Sequence, residues 1–388
     1  MIMPNLASKE ICTGCSACYS ICPVHCIEMI KDESGFTYPN IAENGKCINC
    51  GKCEDVCPVL KSDTADNKQP IAYAAMSADQ PMRMESSSGG IFTELSRQII
   101  ALGGVVYGVA YDENFIVKHY CATDEEGLQK LRGAKYAESQ LVDTFTEIKT
   151  RLDNGQKVLF SGTPCQVAGL KAFAGNNENL YTVDFVCHGI PSPMAWEKYI
   201  QHRATEDSNG EYPVSINLRS KTTGWSRYEY SNVFEYKNGE VYSAKSSQSL
   251  FMKLFVGDYI NRESCENCRF KGYSRVSDIT LGDFWGIWDI DTSMDDNKGT
   301  SVILVQSEKG DRLWQNIQHK ITVKPVTLEQ SSKQNPSMLV SSKANSNRQK
   351  ALQLISGGNI SQCNQFFIQA KPSLTNRIKG KIKRLLNI

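Results

Sequence analysis

Apolar residues fall in short unbroken runs along the middle of the chain, and stretches with helical spacing separate them. The runs VVYGVAY (105–111), KVLFSG (157–162), LYTVDFVC (180–187), SDITLG (277–282) and TSVILVQ (300–306) have the length and residue types of buried strands. Residues 89–102, 139–152, 164–174 and 193–203 carry the periodicity of helices. Strand and helix in alternation predict an α/β domain. A different texture covers about 214–245, which predicts an antiparallel β-rich insertion with a turn at Asn238-Gly239. Near the N-terminus GFTYPN (35–40) alternates apolar and polar positions and predicts a hairpin. From Leu60 the polar stretch KSDTADNKQP reads as a linker, so a first domain ends near residue 62.

Length and charge narrow the classes. The 388 residues suit two or three domains, and 43 basic against 42 acidic side chains leave a net charge of +1. No global field recruits nucleic acid. There is no run of eighteen apolar residues, and MIMPNLASKE lacks the form of a secretory signal, so the chain reads as soluble and cytoplasmic. Fifteen cysteines in a reducing compartment favour metal ligation or redox chemistry over disulfides.

The cysteines open the chemistry. Cys12, Cys15, Cys18 and Cys22, followed by Pro23, recur as Cys47, Cys50, Cys53 and Cys57, followed by Pro58. This doubled C-x2-C-x2-C-x3-C-P is the pattern of a bacterial two-cluster ferredoxin, in which the fourth cysteine serves the other cluster. The expected quartets are Cys12, Cys15, Cys18 with Cys57, and Cys47, Cys50, Cys53 with Cys22. Gly14 and Gly51 permit the tight backbone, and each proline turns the cysteine before it away from the helical region. Two structural zinc sites are the competing reading, though a trio with a remote fourth thiol suits zinc poorly. Cys26 reads as a buried thiol outside both sets.

In the body, Cys165 follows one predicted strand and Cys187 ends the next, so parallel pairing brings both thiols to one carboxyl edge. Cys265 and Cys268 add a C-x2-C. These four suit a third cluster, a structural zinc, or buried thiols beside an unrelated loop. ESSSGGIF sets Ser87, Ser88, Gly89 and Gly90 before a helix, which suits a phosphate or pyrophosphate and equally a plain helix cap. Neither G-x-G-x-x-G after a strand nor the Walker loop occurs. Arg132 and Lys135 can neutralise phosphates or a reduced ring, or lie on a solvated loop. His188 can donate a proton or brace backbone near a cluster. Trp225 with Arg219 and Lys221 forms either a stacking and charge site or part of the core, and Asp283 in LGDFWG is a further polar candidate.

SSSGGIF, LRGAKYAES, SGTPCQVAGLKAF, TVDFVCHGIPSP and SCENCRFKGYSRVSDITLGDFWGI resemble, in order and over about residues 70–330, the beta-subunit family of coenzyme F-420 hydrogenases and dehydrogenases. The resemblance implies FAD, an iron-sulfur cluster on Cys165, Cys187, Cys265 and Cys268, a flavin beside the Ser87 to Gly90 turn, and Lys135 near its ring. It also implies electron exchange between iron-sulfur carriers and a deazaflavin or another acceptor. The ferredoxin head resembles that of longer members, including bacterial ones associated with surface-polysaccharide genes.

The expected architecture is a two-cluster ferredoxin-like domain (1–62), a linker (63–70), an α/β flavin and iron-sulfur domain (71–345, in parts 71–152 and 153–345) and a C-terminal region (346–388). The expected function is an FAD- and 4Fe-4S-dependent oxidoreductase, with His188 and Lys135 as catalytic groups and a redox protein or small molecule as acceptor. The rival is an electron-transfer subunit without catalysis that feeds a partner. Leu374, Ile378, Ile382 and Leu385 share one face of a basic tail, which suits peripheral membrane contact or a solvated end.

Overall fold

The computed structural model describes residues 4–43, 46–61, 69–226 and 229–368. The basic tail and most of the predicted linker lie outside the described residues.

The head begins with helix α1 (Ala17–Ile21), followed by β1 (Ile27–Lys31) and β2 (Thr37–Ile41), which pair antiparallel as the alternation of GFTYPN predicts, and α2 (Lys52–Asp55). Both helices start from left-handed backbone, Ser16 at φ 61° and Gly51 at φ 71°. The body then runs β3 (Ile71–Ser77), α3 (Gln80–Glu85), α4 (Ile91–Ala101), β4 (Val105–Tyr111), β5 (Val117–Ala122), α5 (Glu125–Leu131), α6 (Thr144–Asp153), β6 (Val158–Gly162), α7 (Pro164–Ala174), β7 (Leu180–Phe185) and α8 (Pro193–Ser208). A three-stranded insertion follows, β8 (Ser215–Ser220), β9 (Ser231–Glu235) and β10 (Val241–Lys245), with Gly239 at φ 88° in the predicted turn. Then come α9 (Leu250–Val256), β11 (Ile279–Asp283), β12 (Ser301–Val305), α10 (Glu308–Ile317), β13 (Ile321–Val326), α11 (Leu328–Ser332) and α12 (Arg348–Ser356).

One eight-stranded mixed sheet, in the order β13-β3-β12-β11-β7-β6-β4-β5, organises the body. Its centre, β4, β6, β7 and β11, is parallel. Those strands are buried on both faces, which is why they read as unbroken apolar runs. Val106 and Leu159 pack with Ile91, Leu95 and Ile99 of α4 and Trp314 of α10. Val105, Tyr107, Val158 and Phe160 face Phe145 and Ile148 of α6 and Val167 and Leu170 of α7. Cys15, Ala17 and Val56 of the head join that second core, so head and body share one apolar layer. The helix expected from residue 139 starts at Thr144, because Gln140 is drawn into the sheet: its N–H donates to Val117 O at 2.9 Å. Among the described residues no helix is long and apolar enough to cross a membrane.

Candidate functional site

Three small hollows are each lined by a cysteine quartet. Cys12, Cys15, Cys18 and Cys57 line the first, and Cys22, Cys47, Cys50 and Cys53 line the second. The fourth cysteine of each repeat thus sits with the other repeat's trio, as the proline spacing predicts. Cys53 touches both hollows. Cys26 also borders the second, with its Sγ 3.5 Å from Cys22 Sγ. Cys50 is exposed, while Cys12, Cys15, Cys22 and Cys53 are buried.

The third hollow gathers Cys165, Cys187, Cys265 and Cys268. Parallel pairing of β6 and β7 carries the first two to one edge. A capping box of Thr163 and Gln166 starts α7 and fixes Cys165 in its first turn. Cys265 ends a short 3-10 turn, and Lys271 Nζ donates to Ser337 O at 2.8 Å and to Cys187 O.

The donor set fits iron-sulfur clusters. Each quartet stands around a hollow, the arrangement in which thiolates hold a cubane. Burial pushes the Cys15 and Cys265 thiols up to about 12 and Cys187 to about 11, and a bound metal would offset that cost for the thiolate form.

The third hollow adjoins a cavity of about 690 Å³. Cys165, Cys187, His188 and Thr13 line both. Thr13 also borders the first hollow, so one residue touches all three spaces. The contact is close elsewhere too: a methyl group on Gly169 of α7, one turn after Cys165, would lie 2.8 Å from Cys15 Sγ. Only glycine lets the head approach that helix so nearly.

The turn before α4 forms one cavity wall. Ser87 and Ser88 line it, and Ser87 Oγ is buried without a partner. Gly90, at φ 79°, caps the helix beside them. Gly89, expected beside the cofactor, instead faces the sheet, where its N–H donates to Ser301 Oγ at 2.9 Å and a Cβ would meet Ala75 O at 2.4 Å. Ser88 Oγ donates to Thr300 O at 2.8 Å, and Lys221 Nζ donates to Ser88 O at 2.7 Å. Lys221 therefore braces the turn. Arg219 reaches the wall from the insertion: its Nη1 donates to Asp283 Oδ2 at 2.8 Å, and its Cζ lies 4.4 Å from the ring centres of Trp225 and Tyr230.

Arg132 and Lys135 both line the cavity. Arg132 is largely neutralised by Glu85, at 2.7 Å, and by Glu125. Lys135, half-buried, donates from Nζ to Lys130 O at 3.0 Å and Arg132 O at 2.6 Å, and desolvation lowers it to about 7. His188 Nδ1 is 3.3 Å from Ser337 Oγ and Nε2 is 2.9 Å from Asp258 Oδ1. The expectation of a backbone brace is not met; its partners are side chains.

Residues 11–60 match the family described as 4Fe-4S dicluster domain, and residues 155–329 match that described as the C terminus of the coenzyme F420 hydrogenase/dehydrogenase beta subunit. The chain joins these two domains. Their presence supports an iron-sulfur electron-transfer function of an oxidoreductase-like kind. Among solved structures it is similar to a chain of the F420-reducing NiFe hydrogenase complex from Methanosarcina barkeri, at 16% identity and a TM-score of 0.47, over 79% of this chain and 94% of that one. No curated protein matches significantly.

Three features of this beta-subunit-like body and its ferredoxin head escape sequence reasoning. Thr13 sits inside the first motif, but nothing in its spacing tells that it borders the body. Asp184, fully buried at the end of β7, lines the cavity, and burial raises its carboxyl. Arg262 and Glu138 form a buried ion pair at 2.8 Å, although they lie 124 residues apart. Burial pushes the Glu138 carboxyl up, against the pull of Arg262.

Proposed function

We propose that the protein is an iron-sulfur flavoprotein that carries electrons from the exposed face of its ferredoxin head to a flavin in the large cavity, and from there to a two-electron acceptor. The observation that carries this reading is the sharing of Thr13 by the first hollow, the third hollow and the cavity. Exposed Cys50 marks where a redox partner meets the head. From Cys50 the second quartet leads through Cys53 to the first, and Thr13, which borders both hollows, leads on to the third. In this reading Cys165, Cys187, Cys265 and Cys268 hold a third cluster.

The cavity suits FAD on three counts. Its size is that of a site for a drug-sized or larger ligand. The partnerless Ser87 hydroxyl and the start of α4 offer donors to a pyrophosphate. Lys135 supplies a cation for the ring. A bound flavin exchanges electrons in pairs on one side and singly on the other. Ser87, Ser88 and Gly90 bind and orient, while His188 Nε2, set against Asp258, and Lys135 Nζ hold protons at the cavity wall. Arg132, its charge paired with Glu85 and Glu125, takes a bracing part in the wall.

Iron, sulfide and flavin per chain in anaerobically purified protein test the proposal, with about twelve irons and one FAD expected, since three cubanes carry about four irons each. Twelve irons without flavin would point instead to an electron-transfer subunit, and zinc in their place would overturn both readings. Lys135 gives a second expectation. Because its pKa is lowered to about 7, the ammonium is present below that pH and lost as pH rises through it. Turnover that uses the cation should fall above about pH 7, and Lys135→Gln should remove this limb of the profile.

A further inference from the structure

We infer that Arg262, with Glu138, is a positioning pair that sets the reduction potentials of the first and third clusters together. The inference rests on the reading that the third quartet holds a cluster.

Arg262 is 1% exposed and spends every edge of its guanidinium. Nε donates to Cys12 O at 2.8 Å, Nη2 to Thr37 O at 2.8 Å, and Nη1 to Glu138 Oε2 at 2.8 Å. Nη2 lies 3.9 Å from Cys12 Sγ, a member of the first quartet. The same residue borders the third hollow and opens the turn that carries Cys265, whose N–H donates to Arg262 O at 3.0 Å. Its charge thus stands between two quartets. Glu138 is fixed from the other side, where Thr37 Oγ1 donates to its Oε1 at 2.8 Å, and it lines the large cavity. Gly14 makes room for the pair: a Cβ there would lie 2.6 Å from Glu138 Oε1 and 2.9 Å from Arg262 Nη1.

A buried ion pair is a costly way to join two domains, since apolar side chains of similar volume do so at least as well. Its charges, in contrast, act on neighbouring redox centres with little screening from water. Adding an electron to a cubane adds negative charge. A nearby cation therefore favours the reduced form and a nearby carboxylate opposes it. Because Arg262 touches both quartets and Glu138 is bonded to it, one substitution moves two potentials in step and leaves the second quartet, which neither residue borders, unmoved.

Redox titration of the anaerobic full-length protein, followed by electron paramagnetic resonance, tests this in Arg262→Met, Arg262→Lys and Glu138→Gln. Arg262→Met should make the first and third clusters harder to reduce, by about tenfold in the one-electron equilibrium or about 59 mV, and Glu138→Gln should make them easier by a similar factor. Arg262→Lys keeps the charge and should stay within about threefold of the parent. Opposite signs separate an electrostatic role from simple loosening, which moves both variants the same way. Shifts of one sign in both variants, or no shift at full iron content, would overturn the inference. If Arg262→Met loses iron, the sign in Glu138→Gln decides alone. A parent protein with only about eight irons would sink the third-cluster reading, and the first cluster's response would still judge the arginine.

Discussion

Cys265→Ser is expected to lower iron from about twelve to about eight per chain while the two head clusters keep their spectra. Cys265 ends the short 3-10 turn after Arg262 and belongs to no α-helix or strand, so its loss leaves the core intact. Its thiol is nonetheless enclosed, and burial holds it near 12 until metal binds. A serine hydroxyl gives up its proton far less readily than a thiol, and the remaining three thiolates then carry a cluster poorly. Since this quartet adjoins the cavity, turnover with a reduced ferredoxin as donor should fall by more than about a hundredfold. Retention of all the iron together with full turnover would show that these four thiols serve another purpose. Iron counted against protein, alongside the head's resonance signals, separates the outcomes.

The second large effect concerns contact between head and body. Gly169→Leu places a branched side chain where even a methyl group would stand 2.8 Å from Cys15 Sγ and 2.9 Å from Cys15 Cβ. Helix α7 is fixed on its other side by Val167 and Leu170 in the core, so the head must give way. Overpacking of this kind costs about 1–3 kcal/mol. The expected result is a lower unfolding midpoint with iron content preserved, together with a fall of at least about tenfold in electron delivery to the cavity, since a misplacement of an ångström is enough to cost catalysis dearly. Gly169→Ala should give a smaller version of both changes. Unaltered delivery in the leucine variant would mean that electrons do not cross at Cys15.

The ferredoxin head was legible because ligand spacing within each repeat is local: cysteines three residues apart reach a common hollow whatever surrounds them. The third quartet was legible for another reason. Its first two thiols follow the ends of neighbouring parallel strands, and the apolar runs 157–162 and 180–187 betray those strands directly. Where partners meet over long separations the sequence is silent. Nothing at Glu138 announces Arg262, and nothing in the stretch before Thr144 announces that Gln140 pairs with Val117 beside β5. Strands β3 and β13 were missed because β3 is rich in alanine and β13 carries a lysine and a proline, so neither forms a strongly apolar run. Gly89 misleads in a related way. It belongs to a motif that looks made for a ligand, yet its small size answers the approach of Ala75 and Ser301.

With a cluster in each hollow, the exchange of Cys22 and Cys57 between the two halves of the head ties the loading of one to the loading of the other. Neither hollow has its full set of thiols until both repeats have folded against each other. Loading should therefore be all-or-none for the pair, with singly charged intermediates rare during biogenesis. Because Cys15 and Ala17 also complete the apolar layer under α7, a chain starved of iron is left with an unfinished seam along its largest sheet, and quality control has that seam to recognise.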